Sequence, residues 1–301
     1  MSKAKAIKYG SIDIGSNAIR LLISTAHYSD EGVFFKKNAL IRVPIRLGQD
    51  VFTKGKIGSK NQKRMIQAMV AYRNLMDAHG VEGYLACATS AMRDAENSKQ
   101  LLKEIKQKAN INIEIISGSK EAEIIFQTHI EQLLDHDKAY LYIDVGGGST
   151  ELSFFNGKVL VASQSFNVGT IRLLNNIVEK KQWELMEDWI KETIGDISNV
   201  NAIASGGNIN RVYKIIGKKK LEVIYLDEIS DVKNRIENTP EEKRQQKFNM
   251  NPDRADVILP ALSIYLKVFK WSNVNDIYVP KVGLSDGLIR KLYADSLPYA
   301  F

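Results

Sequence analysis

The chain has 301 residues, 44% of them hydrophobic, enough to bury the cores of two domains. Its longest strong apolar run, residues 257–266, is too short to span a bilayer and contains Pro260, and its one cysteine, Cys87, excludes a disulfide framework within the chain. A formal net charge of +7 and a pI near 9.2 favour anionic partners without choosing among nucleic acid, nucleotide and polyphosphate.

The basic start, Met1-Ser2-Lys3-Ala4-Lys5, runs into an apolar strand with no signal core, which predicts a soluble, cytoplasmic protein. Tyr9-Gly10-Ser11-Ile12-Asp13-Ile14-Gly15-Ser16-Asn17-Ala18-Ile19-Arg20-Leu21 reads as a strand, a glycine turn and a returning strand. Ser29-Asp30-Glu31-Gly32 is a turn signal, and residues 33–43 make a third strand. A helix follows, with Ser59 as its cap, Met65, Met69, Tyr72 and Met76 as its buried stripe, and Gly80 at its end. Residues 84–88 form a short buried strand in which Cys87 reads as an inert thiol. That strand delivers Thr89 and Ser90 to a turn, a helix runs on to about Asn110, and residues 111–116 form the fifth strand. Ser119 as N-cap of the next helix puts Glu121 in the first turn, where the helix dipole stabilises a carboxylate, while Glu123 faces elsewhere.

The order βββαβαβ then recurs. Residues 140–145, 151–155 and 158–166 are strands, the last two joined by the hairpin signal Asn156-Gly157. Helical segments over 169–178 and 183–194 lead to a strand at 202–204, the turn Ser205-Gly206-Gly207-Asn208, a helix over 209–216 and a fifth strand at 221–226. Asp227 caps a helix to about Glu237, Pro240 sits in the first turn of another, and residues 253–271 form one helix kinked at Pro260. A strand at 277–282 and a helix at 285–294 close the chain. Meanders followed by alternating strands and helices predict an α/β fold with one helix-covered mixed sheet in each of two lobes. The basic clusters Lys218-Lys219-Lys220 and Lys243-Arg244 have no interleaved aromatics, so no nucleic-acid platform is expected; His27, His79, His129 and His136 lack metal-ligand spacing.

The segment Tyr140-Leu141-Tyr142-Ile143-Asp144-Val145-Gly146-Gly147-Gly148-Ser149-Thr150-Glu151-Leu152 falls without a gap on residues 9–21, with Tyr, Ile, Asp, Gly and Leu coinciding. Glycine turns leave backbone N–H groups free to close on an anion, which gives Gly15, Ser16 and Asn17, and again Gly146, Gly147 and Gly148, a phosphate-cradling role. Asp144 and Glu151 beside such a cradle call for Mg²⁺, with Asp13 close by; a plain hairpin with solvated acids is the other reading of that stretch alone. Arg20 and Arg93 offer cations to the phosphates, a salt bridge being the competing role of Arg93. Glu121 either activates a water as general base or stabilises its helix start.

Five segments, residues 13–17, 89–97, 116–122, 144–151 and 254–258, together resemble, in order, the exopolyphosphatase and guanosine pentaphosphate phosphohydrolase (Ppx/GppA) family. The resemblance implies the actin-like ATPase fold: two duplicated ribonuclease H-like lobes, residues 1–118 and 119–284, around an interlobe cleft, with the C-terminal helix 285–301 joining the first. It implies Mg²⁺-assisted hydrolysis of the terminal phosphoanhydride of inorganic polyphosphate or guanosine pentaphosphate. By position, Glu121 matches the family's base, Asp144 and Glu151 its metal-associated acids, Arg93 a phosphate contact, and Gly146, Gly147, Gly148 and Ser149 the second phosphate loop. Ser205-Gly206-Gly207 resembles the loop that contacts adenosine in superfamily ATPases, with close packing as the other explanation. The chain departs from the family in ending at Phe301 without the longer members' helical region, which counts against processive action. It also departs in having Ser285-Asp286 where an Arg-Glu pair is usual. An ATP-dependent kinase or ATPase, and a nonenzymatic sensor of polyphosphate or guanosine pentaphosphate, are the alternatives. No membrane or nucleic-acid partner is expected, and a homodimer is left open.

Overall fold

In the computed structural model, residues 6–29, 32–126, 135–195, 197, 199–219, 222–280 and 282–296 are described. The basic start, Asp30 and Glu31 of the expected turn, His129 and Lys220 lie outside the described residues. The chain divides into two compact units, residues 1–128 with 283–301, and residues 129–282. Among the described residues no helix is long and apolar enough to cross a membrane.

In the first unit β1 (Ile7–Ile14) is the centre of a sheet. It pairs antiparallel with β2 (Ile19–Ser29), which pairs with β3 (Gly32–Val43). After α1 (Leu47–Lys54) and α2 (Ser59–His79), β4 (Gly83–Ala88) lies parallel to β1. The expected helix up to Asn110 is two, α3 (Ser90–Asp94) and α4 (Ser98–Ala109). It breaks because the Asn97 amide is taken by both backbone groups of Ile57, at 3.0 and 2.9 Å, while the N–H of Glu96 bonds the Gly55 carbonyl. Only Glu114–Ile115 pairs as β5, giving the order β3-β2-β1-β4-β5, and α5 (Gly118–Phe126) follows. Ile12, Ile14, Ile19 and Leu21 face α2 and α4, where Met65, Met69, Tyr72 and Met76 form the expected stripe. The cap of α2 is Gly58, one residue before Ser59; having no side chain, it donates its N–H to Asp50 at 3.0 Å.

In the second unit β6 (Ala139–Val145) is central, antiparallel to β7 (Thr150–Asn156), which pairs with β8 (Val159–Phe166) through a hairpin where Gly157 has φ +58°. Then come α6 (Thr170–Leu174), shorter than expected, α7 (Lys180–Ile194), β9 (Val200–Ser205) parallel to β6, and α8 (Gly207–Ile216). The fifth strand expected at 221–226 is reduced to β10 (Ile224–Tyr225), because the chain turns at once into α9 (Leu226–Glu237). The Glu228 carboxylate accepts the Tyr225 N–H at 2.9 Å and fixes that turn, so Asp227 lies inside the helix and is not its cap. Pro240 precedes α10 (Glu241–Lys247) as its N-cap. The single kinked helix expected over 253–271 is α11 (Pro252–Ala255) and α12 (Ile258–Ser272); Pro260 falls in the first turn of α12, where its missing N–H costs nothing and no kink results. β11 (Asp276–Tyr278) slots parallel beside β9, giving β10-β11-β9-β6-β7-β8. The place that β5 holds in the first sheet is thus filled from much later in the chain. Leu141, Ile143 and Val145 pack on the helices of this unit, α12 contributing Leu262, Tyr265 and Phe269.

The last helix, α13 (Leu284–Ser296), belongs to the first unit, where Ile289 joins Tyr9, Leu22 and Ala26 on the sheet face away from α2. It crosses α5 so closely that a Cβ on Gly287 would lie 2.1 Å from the Ile124 carbonyl oxygen. This packing puts α5 in the first unit, past the boundary expected at residue 118. At the departure from the family pattern, the Ser285 carbonyl accepts the Ser11 hydroxyl, and Asp286 pairs with Lys37 at 2.6 Å.

Candidate active site

Parallel strands bring their C-terminal ends to one sheet edge, the usual place for ligands in such sheets. In the first unit this edge collects the turn after β1, the turn after β4 and the start of α5. The β1–β2 turn closes with the Gly15 N–H on the Ala18 carbonyl at 3.2 Å. The N–H of Thr89 bonds the Ile14 carbonyl, and the hydroxyls of Ser16 and Ser90 meet at 2.8 Å, so two of the motifs are in direct contact. Asp13, buried, pairs with Arg20 at 2.7 Å.

Arg93 does form a salt bridge, with a largely shielded acid. It donates to the Ile116 carbonyl at 2.7 Å and stands 3.9 Å from Glu121, whose side chain is 12% exposed. The cap of α5 is Ser117 rather than Ser119: its hydroxyl oxygen accepts the Lys120 N–H at 3.1 Å, and its carbonyl accepts the Glu121 N–H. Glu123 turns away to Lys120. The Cys87 thiol is pushed up to about 12, first by burial and then by Glu114, Asp13 and Glu121. One buried sulfur therefore feels both Asp13 and Glu121, which share this edge.

In the second unit the β6–β7 turn closes on the equivalent bond, Gly146 N–H to Ser149 carbonyl at 2.9 Å. The carbonyls of Gly146 and Gly147 accept the N–H groups of Thr170 and Ile171 at 3.0 and 2.8 Å, and that of Gly148 accepts Arg172 Nε at 2.8 Å. In a trans peptide the carbonyl of one residue and the N–H of the next point opposite ways. Holding three carbonyls on the α6 side therefore turns the N–H groups of Gly147, Gly148 and Ser149 to the other side, as an anion nest requires. Gly169 makes this contact feasible, since a Cβ there would fall 2.4 Å from the Gly148 carbonyl carbon.

Glu151, buried, accepts the hydroxyls of Ser149 at 2.6 Å and Ser165 at 2.9 Å on one oxygen. Asp144 stands opposite Glu151 across β7 and opposite Ser205 across β9. The Tyr142 and Tyr265 phenols are both pushed upward, first by burial and then by Asp144. Gly206, at φ +112°, fits only as glycine: a Cβ would lie 3.2 Å from Asp144 Oδ1 and 3.3 Å from the Val145 carbonyl oxygen. This packing gives Gly206 a reason to be glycine that does not depend on a ligand.

Among the described residues no three His, Cys, Asp or Glu side chains cluster as a self-sufficient metal site. The donor set instead fits a hard cation that keeps much of its water and shares substrate oxygens. It consists of oxygens alone, and beside Asp144 two buried hydroxyls, Tyr142 OH and Ser205 Oγ, find no hydrogen-bond partner among the described residues. Ser205 Oγ is near enough to ease the Tyr142 phenol downward, yet outside hydrogen-bond geometry. Asp144 and Glu151 are thus gathered in one unit, whereas Asp13 is already charge-balanced by Arg20 in the other.

The residues that received no role from the sequence are Ser90, Ser165, Gly169 and Arg172. Of these only Ser90 and Gly169 carried a signal, Ser90 as part of a motif and Gly169 as a glycine following a strand.

The sequence profile of the Ppx/GppA phosphatase family matches residues 30–295. The bifunctional 3-dehydroquinate synthase/phosphatase of Fusobacterium nucleatum is 29% identical over 289 residues, covering 87% of this chain and 43% of that protein. Exopolyphosphatase 2 of Mycobacterium tuberculosis is 30% identical over 190 residues, covering 60% of this chain and 58% of that protein. The chain spans about half the length of these relatives. The crystal structure of an exopolyphosphatase from Cytophaga hutchinsonii superposes with a TM-score of 0.82 at 24% identity, over 96% of this chain and 98% of that one, so the duplicated α/β fold is shared.

Proposed function

The chain belongs to the Ppx/GppA phosphatase family, and from that premise we propose that it releases the terminal phosphate of inorganic polyphosphate or guanosine pentaphosphate. The observation that carries the reading is the row of carbonyls held on Gly146, Gly147 and Gly148, which leaves successive N–H groups to grip a phosphate without any charged side chain. The β1–β2 turn, its Ser16 and Asn17 carbonyls held by the N–H groups of Gly48 and Arg46, offers the N–H groups of Asn17 and Ala18 in the same way, with Arg20 and Arg93 supplying positive charge. Glu121, partly shielded and held by Ser117 and Arg93, orients and deprotonates the attacking water. Asp144 and Glu151 would hold Mg²⁺, which when bound neutralises phosphate charge. Asp13, whose charge Arg20 already offsets at 2.7 Å, would contribute to phosphate binding in its own unit through that arginine.

Phosphate release from both substrates tests the reading. Glu121→Ala should lower kcat by at least about a hundredfold with a smaller change in KM, the range of general-base removal. A variant that keeps wild-type turnover would take Glu121 out of the mechanism. Calorimetric titration separates the alternatives: tight ATP binding without binding of inorganic tripolyphosphate would make the chain an ATPase or kinase. Mg²⁺-dependent binding of tripolyphosphate without phosphate release would make it a sensor.

A further inference from the structure

We infer that Arg172 is a positioning residue for the phosphate turn, holding the Gly148 carbonyl so that the Ser149 N–H stays aimed at the substrate anion. Arg172 lies outside every segment that carries the family resemblance, and its role is read from three observations.

First, the contact is specific. Arg172 is half-buried in the first turn of α6, and Nε, not a terminal nitrogen, donates to the Gly148 carbonyl at 2.8 Å. Second, the peptide it holds is easily turned. Glycine on one side of the Gly148–Ser149 peptide leaves the backbone little resistance to a flip that would present a carbonyl oxygen, rather than an N–H, to a phosphate.

Third, the other unit solves the same problem with backbone alone. There the Ser16 carbonyl accepts the Gly48 N–H at 2.8 Å and the Asn17 carbonyl accepts the Arg46 N–H at 2.9 Å. Arg46 sits at φ +61°, a conformation uncommon for a residue with a side chain, so that segment spends backbone strain on the contact. In the second unit Ile171 N–H takes the place of Gly48 N–H on Gly147, and the Arg172 side chain takes the place of Arg46 N–H on Gly148. Both donors follow the third strand of their sheet. The clamp is duplicated with the turn, but only in the second unit does it end in a side chain that a substitution can remove.

Because this role rests on the phosphoanhydride reading, its test needs one readout with substrate and one without. Gln and Lys separate the possibilities by atom position. Arg172→Gln places a neutral N–H donor where Nε stands, whereas Arg172→Lys keeps the charge and puts a methylene there. For a clamp, tripolyphosphate affinity with Mg²⁺, measured by calorimetry, should fall about ten- to a hundredfold in Arg172→Ala and Arg172→Lys. Those are the limits for one hydrogen bond from a charged donor, and Arg172→Gln should recover most of the loss. In the same order, amide hydrogen exchange of residues 146–150 without substrate should speed up in the Ala and Lys variants and stay near wild type in Gln. Lys outperforming Gln would make Arg172 a direct charge on the phosphate and overturn the inference, as would unchanged exchange in all three variants. Faster exchange in a chain whose wild type neither binds tripolyphosphate nor releases phosphate would leave the clamp standing and sink the functional reading instead.

Discussion

The turns Gly15-Ser16-Asn17-Ala18 and Gly146-Gly147-Gly148-Ser149 close on the same backbone bond and are gripped from the same direction, yet their charges are opposite in kind. Across the hairpin from Asp13 stands Arg20; across the equivalent hairpin from Asp144 stands Glu151. One position on the returning strand therefore decides whether the edge balances its own acid or presents two acids side by side. Two neighbouring carboxylates repel unless something positive joins them. The comparison teaches that backbone geometry and electrostatics were separable when the unit was duplicated: the first is repeated almost bond for bond, the second is inverted at a single residue. On the proposed reading the first edge would take a phosphate directly and the second a phosphate with a cation.

The sharpest way to break that contrast is to neutralise each acid in turn. Asp144→Asn should reduce kcat at saturating substrate by about a hundredfold or more and raise the Mg²⁺ concentration for half-activity at least about tenfold, as for a residue that holds the ion or its waters. Asp13→Asn should move the Mg²⁺ requirement much less, because Arg20 already offsets the charge it removes, and should appear mainly in KM as the freed Arg20 rearranges. Activity titrated against Mg²⁺ for both variants decides it. Equal shifts would mean the two edges are alike in metal dependence, whatever Arg20 and Glu151 suggest.

A smaller effect separates the two clamps. At Gly169 an added Cβ meets backbone, the Gly148 carbonyl carbon at 2.4 Å and the Gly147 oxygen at 2.5 Å, which cannot yield without moving the turn. At Gly48, in the first unit's clamp, the nearest atom is Phe52 Cε2 at 2.6 Å, a side chain that can swing aside, followed by Ser16 Cβ at 3.0 Å. Gly169→Ala should therefore cost roughly 2–3 kcal/mol in chemical denaturation and lower kcat/KM about tenfold, with Gly48→Ala nearer 1 kcal/mol. If the order is reversed, the first unit's turn is the more tightly held of the two.

The repeat itself was legible in the chain because strand, turn and returning strand carry side-chain identities that align: Tyr9 with Tyr140, Asp13 with Asp144, Gly15 with Gly146. The clamps were not, because a carbonyl accepts an N–H from any residue; Gly48, Arg46 and Ile171 leave no signature of the bonds they make. The fifth strand of the second sheet was misplaced for a related reason. Residues 221–226 have strand composition, but the Glu228 bond to Tyr225 commits the chain to a helix and leaves the slot beside β9 to residues 276–278. Pro260 looks like a kink in the sequence because the effect of a proline depends on where the preceding turn ends, which Asp256 and Val257 do not announce. In the site, the first-turn position of Glu121 is legible whether Ser117 or Ser119 is the cap: either serine satisfies the pattern, and only the Ser117 contact with the Lys120 N–H chooses between them.

The smallest expected effect uses titration to compare the edges without substrate. Cys87 is held protonated to about 12, against an ordinary value of 9.0, by burial first and then by Glu114, Asp13 and Glu121. Below pH 9 the thiol is protonated in folded and unfolded chains alike and contributes nothing to the pH dependence. Between 9 and about 12 only the unfolded chain loses the proton, so stability falls as pH rises, by at most about 1.4 kcal/mol per pH unit. In the second unit the buried groups that feel the acid are the phenols of Tyr142 and Tyr265, raised from 10.0, so its alkaline loss should begin about a unit higher. Thermal unfolding of wild type and Cys87→Ala between pH 8 and 10, roughly the window set by the two ordinary values, isolates the first slope. The variant should lose the decline that starts near 9. An identical profile in both proteins would mean that the folded thiol ionises as freely as the unfolded one, and that neither burial nor the charges of Asp13 and Glu121 hold its proton.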